Sequence, residues 1–387
     1  MLISNSKAIC SILTGAALGL AARHSAAATL TVCPAGCTHS TIQATVNVAA
    51  DYDLILIHPG RYVETVTIQG KSLTLMNSAD AGQGSGTVNV VGPGRGPVFV
   101  LGSGATTASA DYKQVTLYDL NISGGTHPGG TGVGGGIQVR QGTSLLLQAS
   151  TVSGNSAVAG GGIGIDTPNG PSSQIINSVI SGNTARAGGG VVVQMFSAVE
   201  ISDHSVITHN TAQVGGGGFS ESNSHLAINN SILSANLATG ACDQPQGNPP
   251  TNCDAGLGGG FVVGGAFSMS DSTVTGNQAT AQGLAHGGGL YLVLESTPIS
   301  IFRSVFNQNT VSGNQGGDGG AIFAYAADPA YTLNLNGVYV VDNNNYSHPL
   351  PASASGGILN EGTLNLVHTT IADNYPGNCV GGTGCPP

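Results

Sequence analysis

The chain has 387 residues, of which 19 are acidic and 9 basic, for a formal net charge of −10. That balance argues against nucleic acid and anionic membrane surfaces as partners. Charged residues are only 7% and 62 residues are glycine, a composition that without periodicity would mean disorder; with no Trp and 5% aromatics, any core has to be aliphatic.

Lys7 precedes an apolar run from Ala8 to Ala22 and then Ala26-Ala27-Ala28, the form of a secretory signal with a small-residue cleavage site. Residues 1–28 are expected to be removed, so that the mature chain begins near Thr29. No other apolar run is long enough to span a bilayer. Outside the leader, six cysteines fall into three local couples: Cys33 with Cys37, Cys242 with Cys253, and Cys379 with Cys385. An even set in a secreted chain reads as disulfides, each closing a short loop. The Cys-x-x-Cys pairs that a metal site would use are absent.

Within residues 38–50, Ile42, Val46 and Ala49 recur at helical spacing behind a Ser or Thr N-cap, which predicts a short amphipathic helix. Strands are expected at Leu54–Ile57, Val66–Ile68 and 73–76. A lone helix ahead of the first strands suits the open end of a stack, whose unpaired backbone and apolar side chains must be covered. The run from Thr41-Ile42-Gln43-Ala44 through Leu54–Ile57 to Pro59-Gly60-Arg61-Tyr62-Val63-Glu64 resembles the N-terminal part of pectate-lyase-like β-helix proteins. The resemblance implies that Tyr62 and Glu64 are framework residues. Further strand-like runs follow at Val88–Val91, 98–101 and 115–117, and 120–124 leads into a regular pattern.

From residue 134 onward two marks recur, a glycine run entering an apolar triplet and an Asn that closes a Ser-x-apolar-x-x-Asn segment. The Asn column is Asn155, Asn183, Asn210, Asn236, Asn277, Asn309, Asn343 and Asn374. Five residues before the first six of these stand Ser150, Ser178, Ser205, Ser231, Ser272 and Ser304. The glycine runs include Gly188-Gly189-Gly190, Gly216-Gly217-Gly218 and Gly287-Gly288-Gly289. Such a period, built from short β-branched runs, predicts stacked coils of strands. Coils stack at the inter-strand spacing of roughly 4.8 Å, so the Asn amides are expected to form a hydrogen-bonded ladder. These repeats resemble those of polymorphic outer-membrane-type β-helix proteins, most closely at Gly319-Gly320-Ala321-Ile322 and Phe306-Asn307-Gln308-Asn309. Proteins of that kind often carry a C-terminal membrane barrel, and none is expected here. The long spacing between Asn236 and Asn277 is expected to hold a projecting loop, residues 239–256, pinned by Cys242 and Cys253.

Candidate chemistry lies in two columns. Outward positions of the strands after the glycine runs, with Ser222 and Glu361 the expected fourth residues of two of them, include Val262, Tyr291, Val293, Phe323 and Tyr325. That strip offers a platform for sugar rings or partner side chains unless something covers it. The residue six before each ladder Asn gives Asn177, His204, Asn230, Asp271 and Arg303 on successive coils. Here His204, Asp271 and Arg303 are the candidate catalytic residues, and Asn177 and Asn230 flank them as candidate substrate contacts. A glycosidase uses two carboxylates and this column supplies only Asp271. A lyase of the pectate-lyase-like class would, by resemblance, hold Ca²⁺ on a carboxylate cluster and use Arg303 as base. An Asp271–Arg303 salt bridge is the plainer reading. Arg140 and Asp166 are expected to be neighbours on adjacent coils.

These features predict an all-β, single-domain right-handed parallel β-helix solenoid with a short N-terminal capping helix. The cap and first coils would occupy residues 29–133 and the regular repeats 134–387. The function expected is that of a secreted, non-enzymatic surface or matrix protein, adhesin-like, binding an extracellular glycan or cell-surface partner as a monomer and without a cofactor. The alternative is a polysaccharide lyase or hydrolase acting on acidic polysaccharide, with Ca²⁺ required only in that case.

Overall fold

The computed structural model describes residues 27–103, 112–127, 129, 132–240, 255–295, 297–350 and 354–386. The expected leader falls almost wholly outside them, as does the Cys242–Cys253 couple. The described chain is a parallel β-helix, and each full coil contributes strands to four long sheets. Sheet A has twelve strands from Thr29–Val32 to Thr363–Val367; sheet B has eleven, from Gly60–Val63 to Thr370–Ala372. Sheet C has eleven, from Val66–Ile68 to Cys379–Val380, and sheet D has eight, from Thr126–His127 to Asn344–Asn345. One coil runs from sheet A at Ala198–Ser202 to sheet B at Val206–Thr208, then to sheet D at Thr211–Val214 and sheet C at Gly218–Ser220.

Alternation along each strand sends one set of side chains inward, and the parallel register stacks like on like. Leu117, Leu147, Ile175, Ile201, Ile228, Met269, Ile301 and Leu335 form one such file inside sheet A, all fully or almost fully buried. The aliphatic core expected from composition is therefore a set of axial files.

The Asn ladder is continuous. Each side-chain amide donates to the next Asn at 2.9–3.1 Å, and each Asn Oδ1 also accepts the backbone N–H of the preceding ladder residue. The file runs one residue further than its column, because Asn378 Oδ1 accepts from Asn374. A Ser file runs parallel to it: the Ser150 N–H donates to Ser178 Oγ, Ser178 to Ser205 and Ser231 to Ser272. Buried polar groups at this corner are thus satisfied from the coil below.

The corners explain other columns. The first glycine of each run turns the chain in the left-handed region, as at Gly188 with φ +62°. The residue six before each ladder Asn does the same, with φ between 42° and 66° at Ala149, Asn177, His204, Asn230, Asp271, Arg303, Gly337 and His368. Asn and Asp tolerate that region best among residues with a side chain, and much of the column's polarity is a conformational demand.

One register differs from expectation. Gly218 pairs with Val191 and Phe261, so it takes the first inward strand position and Glu221, not Ser222, becomes the fourth residue. A Cβ on Gly218 would fall inside the Phe261 ring, whose volume fills the space that the glycine leaves.

At the N-terminal end the helix Ile42–Val48 is capped by Thr41, and the Glu64 carboxylate accepts from the backbone N–H groups of Ile42 and Gln43 at 2.9 and 2.8 Å. Tyr62 is buried and donates to the His58 carbonyl. Both are framework. The disulfides Cys33–Cys37 and Cys379–Cys385 are formed.

Candidate functional site

The five residues of the polar column, Asn177, His204, Asn230, Asp271 and Arg303, are all exposed along the left-handed corner between sheets A and B. Arg303 engages Asp271 through two parallel hydrogen bonds, Nε to Oδ1 at 2.6 Å and Nη2 to Oδ2 at 2.7 Å, and its guanidinium lies 4.2 Å from the centroid of the Phe302 ring. The arginine holds the Asp271 carboxyl below its ordinary range. Each partner's main charge contact is the other. Arg140 and Asp166 are register neighbours as expected, and burial raises the Asp166 carboxyl while Arg140 opposes it.

The aromatic strip sits on sheet C but is mostly covered. Tyr291 and Phe323 stack on one another at 5.2 Å and 5°, Phe323 and Val262 are buried, and only Tyr325 is substantially exposed, at 41%. The cover is an outer file made by the residue before each glycine run: Val133, Ala159, Ala187, Val214, Leu257, His286 and Asp318. The left-handed glycine that follows folds this residue back over the outward position of the next strand. His286, for example, lies 4.6 Å from the Phe323 ring.

That file is apolar through Leu257 and becomes ionisable at His286 and Asp318, before Ser355 on the next coil. His286 Nδ1 and Asp318 Oδ1 are buried without a hydrogen-bond partner among the described residues. Burial pushes His286 down to about 4 and Asp318 up to about 6, the latter assisted by the nearby charge of Glu361. Tyr291 is pushed up to about 12 by burial, with Glu361 and Tyr325 adding to the effect. Asp318, Glu361, Tyr291 and Tyr325 thus share one electrostatic neighbourhood.

Beside it lies a cleft of about 310 Å³ between the turns that join sheet C to sheet A. It exists because one of those turns is minimal. Gly264 and Gly265 join Phe261–Val263 directly to Ala266–Ser270, and a Cβ on Gly265 would meet Ser224 backbone atoms at 2.5 and 2.7 Å. The flanking turns are longer and project. Phe196 on one side is 49% exposed with φ 60°, an unusual conformation for an aromatic residue, and Asn223, His225, Val293 and Glu295 complete the walls. Continuing the sheet C register by one residue makes Glu221, Gly264, Val293, Tyr325 and Glu361 a single file along this face. Its two ends are four coils apart, about 19 Å at the usual strand spacing.

Sequence reasoning placed Val293, Tyr325 and Glu361 in this file. It missed Phe196, Glu221, Glu295 and Asp318. A signal was present: residues 187–387 hold twelve acidic side chains and one basic one, Arg303, while the first 186 residues are nearly balanced.

Fold and face together define a parallel β-helix with a cleft on its lateral face. The chain belongs to the right-handed β-helix family: the family model described as "Right handed beta helix region" matches residues 103–304. Among solved structures, the pectin methylesterase from Aspergillus niger in deglycosylated form aligns over 75% of this chain and 85% of its own, at 14% identity and a TM-score of 0.36. No curated protein matches the chain.

Proposed function

We propose that this is an extracellular glycan-binding β-helix protein that holds a saccharide chain in the groove between Glu221 and Glu361 without cleaving it. The observation that carries this reading is the cleft over Gly264-Gly265, with the exposed ring of Phe196 at its wall and Asn223, His225 and Glu295 around it. An aromatic face flanked by a few polar groups is how proteins recognise sugar rings. The two short-loop disulfides suit an oxidising compartment. The mutual engagement of Asp271 and Arg303 supports the non-enzymatic half of the reading.

A glycan array on the chain from Thr29, followed by reducing-end and unsaturation assays on every hit, tests both halves. Binding without turnover, weakened about fivefold or more by Phe196→Ala, is the expected result. If no glycan bound, the reading would fall. New unsaturated ends on a uronate substrate, lost in Arg303→Ala, would replace it with the lyase alternative.

A further inference from the structure

We infer that the groove selects cationic saccharides, polymers of amino sugars with free amines, over neutral or uronate ones. This rests on the glycan-binding reading above and specifies its ligand. Three independent features of the groove point the same way.

The first is sign. Glu221 and Glu361 stand at the two ends of the file and Glu295 at the cleft wall between them. The sole basic residue after position 187, Arg303, lies on the corner between sheets A and B, paired with Asp271. A surface lined by carboxylates with no cation among them repels a polyuronate and raises the local concentration of a polycation.

The second is an unmet acceptor. Asp318 is 9% exposed, its Oδ1 has no donor among the described residues, and Glu361 is close enough to act on its charge. The carboxylate's hydrogen-bond partner is the Ser355 backbone and no cation among the described residues lies beside it, so an ammonium group bound at Glu361 supplies the compensating charge. His286, the neighbour of Asp318 in the outer file, is held in its neutral form by burial and so does not supply that charge.

The third is the partner surface. Tyr325 stands between Val293 and Glu361 in the file, and its exposed ring offers an apolar and π face beside the carboxylates. Sugar C–H groups pack on such a face while an amine at the ring edge reaches a carboxylate.

The test is a binding titration of the chain from Thr29 against three probes of equal length: a fully de-N-acetylated glucosamine oligomer, its N-acetylated counterpart, and a galacturonate oligomer. The expected result is at least a tenfold preference for the free-amine oligomer over the N-acetylated one, no measurable uronate binding, and loss of the preference at high salt. Glu361→Gln and Glu295→Gln should each lower amine binding several-fold while leaving N-acetylated binding unchanged. Asp318→Asn should do the same, with a melting curve to confirm the fold. Equal binding of the amine and N-acetylated oligomers, or uronate preferred, would overturn the inference and leave the glycan-binding reading standing. If none of the three bound and a wider glycan array were also blank, both would fall.

Discussion

Replacing Asn236 by Leu keeps the number and branching of side-chain heavy atoms and removes the amide from the middle of a fully buried ladder. Asn236 Oδ1 accepts from the Asn210 backbone N–H at 3.1 Å and from Asn210 Nδ2 at 3.0 Å, and its own Nδ2 donates to the Ile207 carbonyl at 2.8 Å and to Asn277 Oδ1 at 2.9 Å. Some of these groups keep a second partner: Asn210 Nδ2 still reaches the Ile180 carbonyl, and Asn277 Oδ1 still receives the residue 236 N–H. The Asn210 N–H loses its partner outright, while the Ile207 carbonyl keeps the ladder bond that the sheet B register gives it from Ser234. At about 1–3 kcal/mol for the buried group left unpaired and about 0.5–1.5 kcal/mol for each of the other bonds lost, the expected cost is about 3–5 kcal/mol. Asn374→Leu removes the equivalent bonds, those it donates to the Val340 and Ala372 carbonyls and Asn378 Oδ1 and those its Oδ1 accepts from the Asn343 backbone N–H and Nδ2, at a site with 8% exposure, where water can substitute. Its cost is expected to be about 1–3 kcal/mol. Urea unfolding read at constant slope separates the two, and amide exchange at Asn210 should accelerate in the first variant only. Equal midpoint shifts would refute a ladder whose strength comes from burial at its centre.

Stability against pH should reveal two opposed groups. Asp318 holds its proton up to about pH 6 in the folded chain against an ordinary 3.8, so its contribution falls as pH rises through that window. His286 is lowered from 6.5 to about 4, so the unfolded chain binds the extra proton and the contribution of His286 rises over nearly the same range. Melting temperature in Asp318→Asn should therefore climb between pH 4 and 6.5, and in His286→Leu it should drop between pH 4 and 6; parallel curves would show that neither group is buried as described. Gly218→Val should cost about 1–3 kcal/mol by overpacking against Phe261, and the double variant with Phe261→Val should recover most of it in the same urea assay. Arg303→Ala should leave the melting temperature and glycan binding unchanged, because its ion pair with Asp271 is exposed.

The repeat was legible because stacking imposes the same demand on every coil, and so Asn, Ser and Gly recur where a ladder or a corner requires them. The slip at residues 215–218 arose because four glycines in a row do not show which one enters the strand; only the fit with Phe261 settles it. The shared property of the column from Asn177 to Arg303 is a positive φ, which a sequence expresses only through residue preference. Tyr291 and Phe323 were correctly placed as outward on their strands, yet outward is not exposed when a second file lies over them. That file has its own sequence mark, the residue before each glycine run, and its change from Leu257 to His286 and Asp318 locates the acidic end of the groove. The cleft was hidden for another reason: it is made by the shortness of one turn relative to its neighbours, a contrast between coils and not a motif within one.

Because strands of sheets A to D bond only to the coils on either side, their backbone hydrogen bonds run along the rod. Tension between the two ends therefore loads these bonds in line and opens them one coil at a time, with no sliding of strand past strand. The coil between Asn183 and Asn210, 27 residues, would release about 90 Å of chain at roughly 3.3–3.6 Å per residue, and the 32-residue coil from Asn277 to Asn309 about a fifth as much again. Under load the molecule would lengthen in steps whose sizes spell out the lengths of its coils.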